Sequence, residues 1–77
     1  MITKKSYDEL RVDIQPYVKY VGKHITHLAS GHVYYVLNVG FKEADMSIEF
    51  SYFPIGTPDI VFYRPIEELL DGRYGGI

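Results

Sequence analysis

The sequence contains no cysteine among its 77 residues. That absence excludes disulfides, thiol catalysis and thiolate metal sites, and it favours a cytosolic compartment. No apolar run approaches the roughly 18 residues of a membrane helix, so no membrane association is expected. No apolar stretch follows the N-terminal lysines, so no secretory signal is expected either. The sequence also lacks a large excess of charge of either sign. It has 8 Lys and Arg and 10 Asp and Glu, and the resulting net charge of -2 gives no overall attraction to nucleic acid.

Length and composition define the class of protein. A chain of 77 residues has room for one domain, expected to span 1–77, and 47% hydrophobic with 23% charged residues is typical of a globular fold. Ordering costs about 1.5 kcal/mol per residue, so burial must supply the stability. Eight tyrosines and four phenylalanines provide large side chains for a core. Self-association would bury further surface, so a homo-oligomer is an open alternative.

The N-terminal segment predicts a helix over about residues 6–15. Ser6 and Glu9 have the spacing of a capping box, in which each side chain accepts a hydrogen bond from the other residue's backbone N–H. Apolar residues then recur on one helical face: Tyr7, Leu10 and Ile14. Pro16 disfavours helical geometry at the preceding residue. A helix this short does not persist alone in water, so we expect it to dock.

Residues from about 17 to 64 predict β structure, with short strands at 17–21 and 59–63. Residues 23–28 stay open between another short strand and an irregular segment. The strongest pattern is 32–41, whose odd positions are all apolar: Val33, Tyr35, Leu37, Val39 and Phe41. This alternation predicts that the odd face packs on the core and that His32, Tyr34 and Asn38 face solvent. Residues 47–53 alternate again, with Ile48, Phe50 and Tyr52 predicted inward and Ser47, Glu49 and Ser51 outward.

Pro65 is followed by a short apolar and acidic segment, which predicts a helical turn over about residues 65–71. Residues 73–77 are glycine-rich and are predicted to form a loose tail. The complete order is a helix, several strands in a meander and a helical turn. We therefore expect a mainly β domain, a small antiparallel barrel or curled sheet.

The stretch from His27 to Val39 (HLASGHVYYVLNV) and the closing FYRPIEELL resemble a family of small SH3-like barrels in bacteria and phages, known only as a domain of unknown function. The resemblance covers roughly residues 25–70 and leaves the N-terminal helix outside. The turn carries one extra residue and lacks the family's lysine, and Lys42-Glu43-Ala44-Asp45 replaces a His-x-Glu-Thr connection. The resemblance implies an SH3-like barrel and no particular activity.

Chemistry-bearing residues are few. His24, His27 and His32 are the only cluster of potential metal ligands, but histidines three apart on a strand point to opposite faces, so neither a metal nor another cofactor is expected. The serines lie in no nucleophile-elbow pattern, and Ser30 is explained by a turn. Paired carboxylates fall at helix starts, where the helix dipole explains them. The sequence therefore predicts no enzyme.

A binding module remains the favoured function, such as a phage-type inhibitor or sequestering protein that acts on a host protein or a small ligand. The candidate binding residues are His32, Tyr34, Asn38 and Arg64. Two alternatives stay open at this point: Tyr34 may pack in the core, and Arg64 may pair with Glu67 or Glu68. A second functional class is weak binding of single-stranded nucleic acid by interleaved basic and aromatic residues: Tyr17, Lys19, Tyr20, Lys23 and His24.

Overall fold

A computed structural model describes residues 5–77; residues 1–4, part of the N-terminal segment read above for a signal, lie outside it. The chain forms helix α1 (Tyr7–Ile14), a 3₁₀ helix (Gln15–Tyr20), strands β1 (His24–His27), β2 (Val33–Lys42), β3 (Ser47–Pro54) and β4 (Phe62–Pro65), helix α2 (Ile66–Leu70) and strand β5 (Tyr74–Gly75). The prediction of a mainly β chain with a helix at its start and a helical turn near its end is confirmed. Neither α-helix in the described part has the length and apolar character of a membrane span.

The five strands form one open antiparallel sheet in the order β4-β3-β2-β1-β5. Four consecutive strands pair as a meander, since each turn is short enough to bring the next strand alongside. After β4 the chain passes through α2 and returns to the far edge, where β5 pairs with β1. The helical turn therefore connects the two edge strands of the sheet.

One face of the sheet, called here the inner face, carries the core. Buried apolar side chains from the strands and α2 form it: Ile25, Val36, Phe50, Tyr52, Ile66, Leu69 and Tyr74. The predicted inward alternation of residues 47–53 is confirmed, with Phe50 and Tyr52 fully packed and Ile48 against them. The opposite, outer face carries Glu49 and Ser51, as predicted, although Ser51 is itself buried there.

Helix α1 begins as the sequence predicts. Ser6 Oγ accepts a hydrogen bond from the Glu9 N–H at 3.2 Å, and Glu9 Oε1 accepts one from the Ser6 N–H at 2.9 Å. The two bonds satisfy amides that the first helical turn leaves without partners. Helix α1 nevertheless buries no residue, and Tyr7 lies in solvent although the pattern assigned it to the docking face.

The predicted strand at 17–21 is wrong, because residues 15–20 form a 3₁₀ helix. Pro16 lies in its first turn, where its fixed φ suits the helix and its missing N–H costs nothing. In a 3₁₀ helix, residues three apart lie directly above one another. Tyr17 and Tyr20 have that spacing and both pack against the core. Burial of two aromatic rings thus outweighs the β preference of the segment.

The predicted face assignment of β2 is wrong for its first half. Tyr34 and Val36 point inward, opposite Pro54 and Tyr52, while Leu37 is 45% exposed. A β-bulge between Val36 and Asn38 inserts Leu37 as an extra residue. Such a residue shifts the alternation by one, so inward positions are even before the bulge and odd after it. Val39 is accordingly inward, as the sequence predicted, and Asn38 lies on the outer face.

Two further boundaries differ from the predictions. Strand β4 begins at Phe62 rather than at residue 59, because a turn closed by the Ile60 N–H on the Thr57 carbonyl occupies the start of that segment. The predicted loose tail is partly ordered: Tyr74 is buried in the core and Gly75 pairs with β1. A large aromatic side chain therefore fixes the C-terminal segment, although glycines surround it.

Candidate functional site: an aromatic cleft at one end of the sheet

An open cleft of about 410 Å³ lies where β2 begins and β3 ends. Six residues line it and define what we call the rim cleft: His32, Val33, Tyr34, Pro54, Ile55 and Phe62. The Ile55 N–H donates to the Val33 carbonyl at 3.1 Å, which holds the loop after β3 against the start of β2. The backbone of the cleft is therefore tied on both sides to the sheet.

The floor of the rim cleft is a chain of aromatic contacts. Tyr34 meets Tyr52 edge to face with ring centroids 5.1 Å apart, and Tyr52 lies 5.7 Å from Phe62. His32 extends the chain from the other side, 6.5 Å from Tyr34. Tyr34 is half-buried, so it is both a packing residue and a wall of the cleft. Contacts of this kind fix ring orientation, since aromatic edges prefer aromatic faces.

Apolar side chains around the cleft are exposed together. Val33, Ile55 and Phe62 each leave two fifths or more of their surface in solvent, and Ile60 lies in the loop that precedes β4. Single exposed apolar residues are ordinary, but a contiguous group rimmed by a polar side chain such as His32 marks an interaction surface. Two predicted site residues, His32 and Tyr34, therefore meet exposed apolar residues in the rim cleft.

Arg64 lies next to the aromatic floor on the inner face. Its Nε donates to the Tyr52 hydroxyl at 2.8 Å and its Nη1 donates to Glu68 Oε1 at 2.6 Å. Arg73, in the segment that follows α2, approaches the same carboxylate at 3.3 Å. The structure therefore shows Arg64 in the pairing with Glu68 that the sequence left open as an alternative. Its role here is to fix Tyr52, and through that ring Tyr34.

The pKa values of two side chains beside the cleft, Arg64 and Tyr74, are shifted by their neighbours. Hydrogen bonds to Glu68 first and to Tyr52 second raise the pKa of the Arg64 guanidinium above its ordinary value. Burial raises the pKa of the Tyr74 hydroxyl, and the neighbouring Tyr52 hydroxyl adds to the effect. Arg64 thus stays charged and Tyr74 stays neutral across the physiological range.

Asn38, the fourth predicted site residue, lies on the outer face and away from the other three. It borders a second groove of about 280 Å³ beside the β2 bulge, which we call the bulge groove. Its residues come from three neighbouring strands: Leu37, Asn38, Val39, Gly40, Phe41, Glu49, Ser51 and Tyr63. The structure therefore brings His32, Tyr34 and Arg64 together and separates Asn38, because the bulge turns that residue to the opposite face.

The three histidines contact three different tyrosines. His24 meets Tyr35, His27 meets Tyr74 and His32 meets Tyr34, with ring centroids 5.4 to 6.5 Å apart. Register explains the separation, since His24 pairs with outer-face Tyr35 while His27 pairs with inner-face Tyr74. Within residues 5–77 no group of three or more His, Asp or Glu side chains is placed to hold a metal ion.

The closest approach to a nucleophile and base is at His27, whose Nδ1 lies 2.9 Å from Ser30 Oγ. Ser30 Oγ also accepts from the His32 N–H at 3.3 Å, so the hydroxyl closes a local turn. Nucleophilic catalysis also needs a group that orients the base. The only side-chain hydrogen bond of His27 in the described chain is the one with Ser30, so the pair is explained by the turn.

Sequence reasoning missed Ile55, Phe62 and Tyr63, each of which lines a groove. Phe62 was predicted only as part of a strand over residues 59–63, and the late start of β4 brings it to the rim. A signal for Ile55 was present, because an apolar residue between Pro54 and Gly56 has little chance of burial in so tight a turn.

Comparison of the chain with models of known protein families, with curated proteins and with solved structures gave no match.

Proposed function

We propose that the chain is a non-enzymatic binding module that captures an apolar segment of a partner protein in the rim cleft. The observation that carries the proposal is the contiguous exposure of Val33, Ile55 and Phe62 around a cleft whose floor consists of packed aromatic rings. Large, fixed aromatic and aliphatic surfaces dominate binding energy at protein interfaces, because their rotamers cost little to order.

The shape and chemistry of the cleft favour a side chain or a short segment of protein. Its cavity volume of about 410 Å³ lies within the range of sites that hold small ligands or anchoring side chains. Apolar atoms surround it, while His32 supplies one polar group at its edge. A partner that inserts a leucine or an aromatic ring would bury the exposed parts of Ile55 and Phe62. Capture of this kind suits an inhibitor or a sequestering protein.

A pair of charge substitutions tests the proposal. Ile55→Glu places a carboxylate in the rim cleft, and Val12→Glu makes the same change at an exposed β-branched residue of α1. We expect affinity capture from bacterial lysate to recover a stoichiometric protein with the unmodified chain and with Val12→Glu, and to lose it with Ile55→Glu. Equal recovery by all three chains, at unchanged melting temperatures, would place binding elsewhere.

The fold proposed for this module is an SH3-like barrel of the family that the sequence resembles, acting in the cytoplasm. Support comes from the strand order, in which a four-strand meander is followed by a helical turn and a fifth strand that returns to β1. The curvature that the β2 bulge adds also favours closure, because a bulge increases the local twist of a strand. The absence of cysteine supports the compartment.

A second candidate function, weak binding of single-stranded nucleic acid, has one observation in its favour. His24, Tyr35 and Phe53 are direct neighbours across β1, β2 and β3 on the outer face, with centroids 5.5 and 5.2 Å apart. Aromatic rows on a sheet face can stack successive bases. Of the residues that suggested this function, Tyr17 and Tyr20 are instead packed against the core, which leaves His24 with Lys19 and Lys23.

Fluorescence anisotropy with a labelled dT oligonucleotide tests this second function. Binding should weaken as salt rises, since phosphate contacts release counterions. It should also weaken for His24→Ala, while Ile55→Glu leaves it unchanged. Binding that is absent even at low salt, where the attraction between local lysines and phosphate is screened least, would remove nucleic acid from consideration.

A further inference from the structure

The bulge groove on the outer face contains a carboxylate, that of Glu49, with no partner among the residues that the structure describes. Glu49 is half-buried in β3, and among residues 5–77 its side chain takes part in no hydrogen bond or ion pair. Its two neighbours across the sheet are Gly40 on β2 and Pro65 on β4, neither of which has a side-chain donor. Lys42, on the same face of β2, forms no ion pair with it. A carboxylate in that position is free to meet a cation from outside.

The space beside Glu49 is open because residue 40 is a glycine. A Cβ built on Gly40 would meet no atom within 4 Å, so the groove extends to the backbone of β2. Tyr63 borders the groove from β4, where it pairs with Ser51, and 68% of its surface is exposed. An exposed tyrosine ring next to a carboxylate can contact a cation by its face while the carboxylate neutralises the charge.

Polar and apolar groups complete the walls. The side-chain amide oxygen of Asn38, Oδ1, accepts from the Val39 N–H at 2.9 Å, which orients the side chain and leaves its NH₂ group available to other partners. Leu37, pushed outward by the bulge, provides an apolar edge. The cavity volume of about 280 Å³ is smaller than sites for cofactors, so it suits one side chain.

We propose that the bulge groove binds the arginine side chain of a partner protein. The guanidinium would form a two-pronged pair with Glu49, its plane would lie against the Tyr63 ring, and its aliphatic stem would pass over Leu37. Arginine fits better than lysine because its planar fork matches a carboxylate and stacks on aromatic faces. The net charge of -2 favours approach of a basic partner. This site lies on the face opposite the rim cleft and does not depend on the function proposed for that cleft.

Titration with N-acetyl-arginine amide, followed by the backbone amide signals of the ¹⁵N-labelled protein, tests the proposal. We expect saturable shifts of the amide signals at the groove, on Gly40, Glu49, Ser51 and Tyr63. The uncharged citrulline analogue should cause no shifts at the concentrations at which the arginine compound saturates them. The lysine analogue should bind more weakly. Equal shifts with citrulline, or equal binding of lysine, would overturn the assignment of a guanidinium site.

Three variants locate the site. Glu49→Gln should weaken binding about two- to fivefold, because the shape is kept and the charge is lost. Gly40→Val should abolish it by filling the groove, and the β-branched side chain suits a strand with open space around its Cβ. Glu67→Gln, the same charge change on exposed α2 surface, is the control and should bind as the unmodified chain does. Unchanged binding in Glu49→Gln, with all melting temperatures equal, would overturn the proposal.

Discussion

Two leucines of this chain should respond very differently to replacement by alanine. Leu69 of α2 is 1% exposed and packs with Phe50 and Tyr74 in the core, whereas Leu37 at the β2 bulge is 45% exposed. Removal of a fully buried leucine side chain costs about 2–5 kcal/mol, because the lost burial is joined by a cavity. A half-exposed leucine leaves a gap that water fills, and only about 1 kcal/mol of burial is lost.

Urea unfolding, followed by tyrosine fluorescence or circular dichroism, measures the difference in the free energy of unfolding. Thermal unfolding gives the corresponding shifts in melting temperature. For a domain of this size each kcal/mol lowers the melting temperature by about 4–8 °C. Leu69→Ala should therefore lower it by at least about 8 °C, while Leu37→Ala should lower it by about 4–8 °C or less. Leu28→Ala, at an exposed leucine after β1, gives the baseline for a surface change.

The outcome bears directly on the β-bulge. Strict alternation along residues 32–41 assigns Leu37 to the core, and on that assignment the two variants would be equally destabilised. A loss for Leu37→Ala that matches the loss for Leu69→Ala would refute the bulge and with it the separation of Asn38 from the other candidate residues.

Three further results are expected. Ser6→Ala should remove about 1 kcal/mol of local stability from α1 and reduce the helical circular dichroism signal, while the tertiary signal stays, because no residue of α1 is fully buried. Phe50→Ala should cost about 3–5 kcal/mol in urea unfolding, and a cost below 1 kcal/mol would contradict its place in the core. The free energy of unfolding should hold steady up to the ordinary tyrosine pKa of 10.0 and then fall as pH rises. The reason is that the pKa of Tyr74 is raised in the folded chain, so the unfolded chain releases the proton first. Tyr74→Phe should reduce this alkaline slope, and an identical slope in both proteins would contradict the shift.

Local patterns in the sequence correctly predicted several parts of the fold. The Ser6 and Glu9 spacing predicts the capping box that the structure shows, and the alternation of residues 47–53 predicts the inner face of β3. Both signals depend on neighbours within a few residues, where chain geometry alone decides which side chains meet. Predictions of this kind succeed because no distant contact competes with them.

The errors arose where distant packing decides the outcome. Tyr17 and Tyr20 have strand-like neighbours but are held in a 3₁₀ helix by burial against the core, and Tyr74 orders a glycine-rich segment in the same way. The bulge at Leu37 leaves no mark on the alternation of its own strand. It is set by the pairing with β3, so its effect on Asn38 could not be read from residues 32–41 alone.

The sequence correctly predicted that two of the four candidate site residues, His32 and Tyr34, lie together. His32 and Tyr34 were predicted on one face and do lie together in the rim cleft, although that face is the inner one. Arg64 was placed near the end of the sheet, but its bonds to Tyr52 and Glu68 depend on α2 folding back beneath β3 and β4. Ile55 and Phe62 depend on the loop between β3 and β4, whose path no local pattern specifies.

Site-specific photo-crosslinking tests the binding function of the rim cleft most directly. Benzoylphenylalanine can replace Phe62 in the cleft or, as a matched control, the exposed Tyr7 of α1. Irradiation in bacterial cells should join the chain carrying the probe at residue 62 to one partner protein, through an apolar segment, and should give no such product from residue 7. Equal products from both positions, or a crosslink from residue 62 only to a second copy of the chain, would contradict the account.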